Sequence, residues 1–230
     1  MHVEEFEQSV ERKRLYGAYT AQVTDIRDPD GQGRVKVKLP WSPDNSGAGY
    51  EVWARLAVLM AGAQRGTWFI PDPNDEVLVV FEGGDPRQPR VIGGLWNGSD
   101  APPESMDGAG KNYKKTIRSR RGVRVTLDDT DGQETLTLQT PAGQSITLTD
   151  GGNSIELKDS NGNSVKMEPA GVTIAASAKL TVRAGTIEVN AGMVTVNAGM
   201  SSFSGVVKSD TCISNSVVGA SYTPGAGNIW

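Results

Sequence analysis

Apolar residues in the second half of the chain recur in pairs spaced two positions apart, with turn-forming residues between them. Because side chains on a strand alternate between its two faces, each pair lies on one face of a short strand. The intervening strings, such as DDTDGQ, TPAGQ and DSNGN, are rich in Gly, Pro, Asn and Asp. The eight pairs are Leu136/Leu138, Ile146/Leu148, Ile155/Leu157, Val165/Met167, Val172/Ile174, Leu180/Val182, Ile187/Val189 and Val194/Val196.

The spacing of these pairs predicts how their strands assemble. Successive pairs begin 7 to 10 residues apart, which is too short for one coil of a single-chain β-solenoid and fits one strand plus one corner. A lone sheet of such strands would expose its apolar face and its edges. Three chains wound about one axis would cover that face. The pattern therefore predicts an intertwined homotrimeric β-helix over residues 117–207, with the eight pairs pointing to the axis.

The first half of the chain shows shorter strand patterns separated by Gly, Pro and Asp turns. Short strands divided in this way are typical of a small all-β barrel or sandwich, and a five-stranded OB-type barrel fits residues 17–97. Its four tryptophans are interpreted as core residues. The strand patterns lie at 17–26, 34–41, 52–59, 67–70, 76–81 and 90–96, and the tryptophans are Trp41, Trp53, Trp68 and Trp96.

The amino-acid composition also differs between the two halves of the chain. Residues 1–110 hold ten of the 14 aromatic residues and nine of the 12 prolines. The predicted organisation is an N-terminal segment with a short helix, an OB domain, a linker, a shaft and a tip. Their bounds are 1–16, 17–97, 98–116, 117–207 and 208–230.

The charged and reactive residues exclude several classes of protein. One histidine, His2, and one cysteine, Cys212, leave no His-rich metal site, no Ser-His triad and no internal disulfide. We therefore expect no catalytic residues, no metal and no cofactor. The charged start of the chain predicts a cytoplasmic product without a signal peptide, and no apolar run is long enough to span a bilayer.

Two charged segments allow more than one interpretation. A basic cluster precedes and enters the shaft, and it is either a solvated collar offset by acidic residues of the linker or barrel, or a contact for nucleic acid or an acidic hub surface. The string DDTDGQE at 128–134 lacks the spacing of a calcium loop, which favours a hairpin-like corner. The basic cluster comprises Lys111, Lys114, Lys115, Arg118, Arg120, Arg121 and Arg124.

The barrel segment resembles a known family. The strings GRVKVKLPW at 33–41 and WARLAVLMAGAQRGTWFIPDPNDEVLVVFEGGDPRQPRVIGGLWN at 53–97 are similar to the OB domain of contractile-tail spike proteins. That family includes phage baseplate assembly V proteins, the phage cell-puncturing spike and the valine-glycine repeat spike of type VI secretion. Its members carry a trimeric spike helix after the OB domain, which agrees with the period of the repeat.

The resemblance implies a structural role and a set of partners. It implies a homotrimer that sits on the hub protein of a baseplate, caps the tube and punctures a target membrane mechanically when the sheath contracts. It also implies a PAAR-repeat protein at the tip, received by Tyr222, Ile229 and Trp230. No lysozyme domain lies between barrel and shaft, so the sequence is similar to the minimal spikes of extracellular injection particles.

Two other classes remain alternatives. A trimeric tail fibre, acting as an adhesin or a glycan-degrading spike, would use the same shaft but needs a carboxylate groove or an aromatic sugar platform. A nucleic-acid-binding OB module would need a basic groove, whereas residues 1–110 carry 11 basic and 17 acidic residues.

Overall fold

The computed structural model describes residues 14–42 and 49–220, and within them it is almost entirely β-structure. The chain divides into two units, Met1–Lys179 and Leu180–Trp230. The short helix predicted over residues 2–15 lies outside the described residues, apart from Arg14 and Leu15, which are not helical. The strands are β1 (Ala18–Asp25), β2 (Val35–Leu39), β3 (Tyr50–Leu56), β4 (Ala61–Gly62), β5 (Arg65–Gly66), β6 (Glu76–Phe81), β7 (Pro89–Leu95), β8 (Lys114–Arg118), β9 (Arg124–Asp128), β10 (Thr135–Gln139), β11 (Ser145–Thr149), β12 (Ser154–Lys158), β13 (Ser164–Glu168) and β14 (Gly171–Ala175), with a single 3-10 turn at Glu82–Gly84.

Five of the first seven strands close into a barrel. Their order around it is β1-β2-β3-β7-β6, and β6 returns to pair with β1. All neighbours are antiparallel except β3 and β7, which run parallel. A closed five-stranded sheet with one parallel pair confirms the OB-type barrel predicted from the sequence.

The barrel core follows from the alternation of side chains along β2 and β6. In VKVKL the three apolar residues of β2 are fully buried, whereas Lys36 and Lys38 face outward. In EVLVVF of β6, Val77, Val79 and Phe81 point inward in the same way. Every residue of the buried core among the described residues belongs to the barrel and its strands: Ala21, Val23, Val35, Val37, Leu39, Ala54, Val77, Val79, Phe81 and Val91.

Two expectations for the barrel are wrong. Residues 67–70 form no strand, because the closed barrel offers no free edge with which TWFI could pair. The tryptophans do not build the core: Trp41, Trp68 and Trp96 are exposed, and Trp53 is half-buried. The interior of this barrel is filled by Val, Leu, Ala and one Phe, and it is too narrow for several indoles.

The loop from β1 to β2 is organised by the carboxylate of Asp28. Its side chain is only 5% exposed, and it accepts backbone N–H bonds from Asp30, Gln32 and Arg34 at 2.8–3.1 Å. The guanidinium of Arg34 donates to the same carboxylate at 2.6 and 3.0 Å. The Arg34 bonds, together with these backbone N–H groups, hold the pKa of Asp28 well below its usual range.

We expect Asp28→Asn to lower the thermal midpoint of the barrel at pH 7. Because the folded pKa of Asp28 is lowered, its stabilising contribution is complete above the unfolded pKa of about 3.9 and is lost as the pH falls toward the folded value. The difference between wild type and variant should therefore shrink between pH 7 and pH 3, as measured by circular dichroism. An equal difference at both pH values would show that the charge has no part in the loop.

Strands β8 to β14 form a single sheet in which each strand pairs with the next along the chain. All six pairings are antiparallel, and every strand is five residues long. We call this sheet the meander. Between Lys114 and Ala175 the hydrogen-bonded neighbours thus belong to one chain, and intertwining of chains stays a prediction for the rest of the repeat.

The unit Leu180–Trp230 has no strand in its described part, which ends at residue 220. The sequence predicted strands at the apolar pairs between 180 and 196, and the single chain does not form them. All six of these side chains are 60–70% exposed: Leu180, Val182, Ile187, Val189, Val194 and Val196. A strand requires a hydrogen-bonding neighbour, and the described residues of this chain supply none to these pairs.

Candidate functional site

The meander places its apolar residues in two continuous columns on one face. Antiparallel register sets Leu138 opposite both Val125 and Ile146, and Leu136 opposite both Leu127 and Leu148. The same register continues through β12, β13 and β14. The first column is Ile117, Val125, Leu138, Ile146, Leu157, Val165 and Ile174, and the second is Leu127, Leu136, Leu148, Ile155, Met167 and Val172. We call this surface the apolar face.

The opposite side of the meander carries one column of polar residues between the two apolar ones. Threonine dominates it, and the two charged members, Glu156 and Lys166, lie directly opposite one another. The column is Thr116, Thr126, Thr137, Thr147, Glu156, Lys166 and Thr173. This surface is the polar face, and its β-branched residues favour the extended backbone.

The apolar residues of the meander are more exposed to solvent than the polar residues between them, whereas a folded monomer normally buries its apolar residues. Ile146 and Leu148 are each 38% exposed, whereas Thr147 between them is half-buried. At the end of the meander, Val172 and Ile174 are 66% and 58% exposed. Soluble monomers rarely expose contiguous apolar patches of this extent, and such patches mark interaction surfaces.

The structure brings ten of the predicted axis residues together on the apolar face. They are the members of the first five pairs, from Leu136 to Ile174. The six from Leu180 to Val196 lie outside any strand. The predicted tip residues Tyr222, Ile229 and Trp230 lie outside the described residues.

Three members of the columns lie outside the eight predicted pairs: Val125, Leu127 and Ile117. Ile117 stands opposite Val125 and is 54% exposed. Its partner position two residues earlier is Lys115, which occupies the second column opposite Leu127. A lysine at that position breaks the pattern of apolar pairs, so the first strand of the sheet could not be found by that pattern.

Aspartates organise the turns that link the strands. Asp159 accepts bonds from the backbone N–H groups of Asn161 and Asn163, both at 2.8 Å, and from the Asn163 side chain at 2.7 Å. These bonds lower its pKa. Asp128 accepts bonds from the N–H and hydroxyl of Thr130, which lower its pKa in the same way. The segment 128–134 is thus the corner of a hairpin, as predicted.

The part of the chain that the structure describes contains no cluster of three or more potential metal ligands. It also lacks any helix with the length and apolar character needed to cross a bilayer.

The basic cluster lies at the start of the meander and is partly offset by acidic residues, as the collar interpretation predicted. Arg120 forms an ion pair with Asp72 of the barrel at 3.0 Å. Arg124 lies 3.9 Å from Glu104, which precedes β8. Lys115 binds the Asp129 carboxylate at 2.7 Å.

Each half of the chain matches a domain of a known protein family. Residues 19–96 match the family described as type VI secretion system/phage-baseplate injector OB domain. Residues 135–200 match the phage baseplate V C-terminal trimerisation domain. The first match covers the barrel, the second begins in the meander, and together they cover more than half of the chain.

The chain belongs to the phage baseplate V family of injector spikes. The trimerisation match begins at β10 and extends past the end of the meander to residue 200. It therefore includes the part of the apolar face on β10 to β14 and the apolar pairs between 180 and 196 that form no strand in the single chain.

The chain is similar to two proteins named as type VI secretion system spike proteins and to one named as a toxin. The chain is 37% identical over 78 residues to the type VI secretion system spike protein VgrG3 of Vibrio cholerae, covering 34% of the chain and 8% of the relative. It is 30% identical over 137 residues to the spike protein VgrG2a of Pseudomonas aeruginosa, which covers 54% of the chain and 16% of the relative. The actin cross-linking toxin VgrG1 of Vibrio cholerae is 30% identical over 116 residues, which covers 50% of the chain and 10% of the relative. The chain thus spans less than a fifth of the length of each of these relatives.

Proposed function

We propose that this baseplate V family chain forms the homotrimeric central spike of a contractile, phage-tail-like injection machine. The barrel caps the tube or hub, and the repeat forms a shaft that punctures the target envelope when the sheath contracts. The observation that carries the proposal is the exposed apolar face of the meander, which is continuous over seven strands.

Three copies of the chain would cover the apolar face completely. Packed around one axis, the columns of each chain would meet those of the other two and leave the polar faces in water. Ten of the thirteen side chains in the columns are 37–66% exposed, and burying that surface contributes about 1 kcal/mol per side chain, or on the order of 10 kcal/mol per chain. A monomer gains none of this, so folding of the shaft and trimerisation are coupled. The match to a trimerisation domain supports this arrangement.

The apolar pairs between 180 and 196 fit the same trimer. In a shaft of three chains the neighbouring strands that a single chain lacks would come from the other two copies. We therefore propose the sixteen predicted residues, from Leu136 to Val196, as axis residues, together with Ile117, Val125 and Leu127 at the start of the shaft.

The mechanical role follows from the strand arrangement. Successive strands of the meander stack at about 4.8 Å, so seven of them form a column roughly 30 Å long. Each strand is bonded to the strands before and after it. A trimer of such columns would resist bending, because displacing one strand breaks bonds on both sides and opens the apolar axis.

The remaining partners are proposed from the family. The barrel would contact the hub protein of the baseplate, and Tyr222, Ile229 and Trp230 would contact a PAAR-repeat tip protein. We propose no catalytic role for this chain, and we assign no part of the toxin activity named in one relative to it. It would be made in the cytoplasm, assembled into the baseplate of the particle, and released or delivered outside the cell.

Deletion of the gene in the producing cell tests the proposed function. We expect deletion to abolish complete sheathed particles or spike-dependent secretion, because the tube has no cap on which to assemble. The wild-type chain should restore them, and a variant that cannot form trimers should not. Particles of normal number and activity in the deletion strain would contradict the proposal, whereas glycan cleavage or retention on single-stranded DNA by the purified chain would favour the alternative classes.

A further inference from the structure

The two edges of the meander carry opposite charge. Turns alternate between the edges, so those after β8, β10 and β12 lie on one side and those after β9, β11 and β13 lie on the other. The first side, the basic edge, carries Arg118, Arg120, Arg121, Arg124 and Lys158. The second side, the acidic edge, carries Asp128, Asp129, Asp131, Glu134, Asp150 and Glu168.

The acidic residue on the basic edge and the lysines on the acidic edge already have partners within the same chain. On the basic edge the Asp159 carboxylate accepts bonds from its own turn. On the acidic edge Lys115 is bound to Asp129, and Lys114 lies opposite Asp128. Some of the majority charges are paired as well, because Arg120 binds Asp72 and Glu168 binds Lys166. The charges that still give the two edges opposite signs are Arg118, Arg121 and Lys158 on the basic edge and Asp131, Glu134 and Asp150 on the acidic edge.

The basic edge is unfavourable in a single chain. Arg118 and Arg124 are directly opposite one another across the β8–β9 hairpin, and like charges in that position destabilise a sheet. Among the described residues no carboxylate lies within ion-pair distance of Arg118 or Arg121. Arg124 and Asp128 begin and end β9, so about 14 Å of strand separates them.

We propose that the basic edge of each chain lies against the acidic edge of the next chain around the trimer. This inference rests on the proposed trimeric spike, and it identifies the surface by which the copies recognise one another. Contacts between two different edges are head-to-tail, and they close into a ring after three copies. The partner that fits the basic edge is thus a second copy of this chain.

Threefold rotation brings the two edges together at matching heights. The turn that holds Arg120 and Arg121 lies between β8 and β9, and the turn that holds Asp131 lies between β9 and β10, one strand further along. That offset is about 4.8 Å, within the reach of an arginine. Lys158 ends β12 and Asp150 precedes its start, so these two also come to one level.

The edge contact would set the register of the trimer. Two apolar faces can shift along the axis with little loss of binding free energy. Charged side chains that are shifted in the same way lose their partners or come to lie beside charges of the same sign. The opposite edges therefore favour three chains in parallel, at the same height.

Charge reversal on each edge tests the proposal in the full chain. One variant carries Arg118→Glu and Arg121→Glu, a second carries Asp131→Lys and Glu134→Lys, and a third combines all four changes. A barrel control reverses two exposed charges outside the meander, Arg55→Glu in β3 of the barrel and Arg65→Glu in the β4–β5 hairpin. The readouts are native mass and the midpoint of thermal dissociation, at low salt and in 1 M NaCl.

We expect each two-residue variant to dissociate several degrees below wild type at low salt and the four-residue variant to return close to it. The differences should narrow in 1 M NaCl, where charges are screened within about 3 Å. The edge proposal is overturned if wild type is a trimer and the two-residue variants match the barrel control. It is also overturned if the four-residue variant is less stable than either two-residue variant. A monomeric wild type overturns the edge proposal and the trimeric spike together.

Discussion

Replacing Ile155 with aspartate is expected to abolish the trimer. Ile155 lies in the second apolar column, opposite Leu148 and Met167. In the proposed assembly the change places three carboxylates on the axis, where each has an effective desolvation cost of about several kcal/mol and repels the other two. That cost cancels most of the free energy of burying the apolar face. Size-exclusion chromatography should show no trimer peak.

A matched substitution on the polar face of the meander distinguishes loss of the trimer axis from general damage to a strand. Thr137→Asp introduces the same side chain on the polar face, opposite Thr126 and Thr147. It should leave the trimer intact, because the carboxylate stays in water. Normal trimer yield from the Ile155 variant would show that the apolar face does not line the axis.

Replacing Leu39 with alanine is expected to destabilise the barrel by about 2–5 kcal/mol. Leu39 is fully buried at the end of β2, and its removal leaves a cavity that a small closed barrel cannot collapse to fill. Urea unfolding at fixed protein concentration, followed by tryptophan fluorescence, measures the change. Four of the five tryptophans belong to residues 1–110, so the signal reports chiefly on the barrel.

Leu59 provides the matched control for this prediction. Its side chain is 96% exposed, and Leu59→Ala should change the free energy of unfolding by less than about 0.5 kcal/mol. Equal effects of the two alanine substitutions would contradict the assignment of β2 to the barrel core.

The sequence predicted best those elements whose side chains follow a strict period. The pattern EVLVVF gave β6 at residues 76–81, with the same bounds as in the structure. The apolar pairs from Leu136 to Ile174 predicted five strands of the meander, because antiparallel register keeps each pair on one face. Both results depend only on alternation along a strand.

Features that depend on distant residues could not be predicted in this way. The first strand of the meander pairs Lys115 with Leu127, and nothing local marks a lysine as a column residue. Trp68 and Trp96 read as core by composition, but the space inside a closed barrel decides where an indole fits. The opposite charge of the two edges appears only when the turns are assigned to their sides.

The pairs from Leu180 to Val196 show a further limit. Their period is as regular as that of the meander, yet the single chain forms no strand there. Strand formation requires a neighbour, and a sequence pattern does not say whether that neighbour belongs to the same chain.

The native mass of the purified chain, measured by light scattering after size exclusion, shows whether the chain is a trimer. Three chains of 24.4 kDa give 73.2 kDa, and we expect this value across dilution. A folded, soluble monomer near 24.4 kDa would contradict it, because the apolar face of the meander would then be stable in water without a partner.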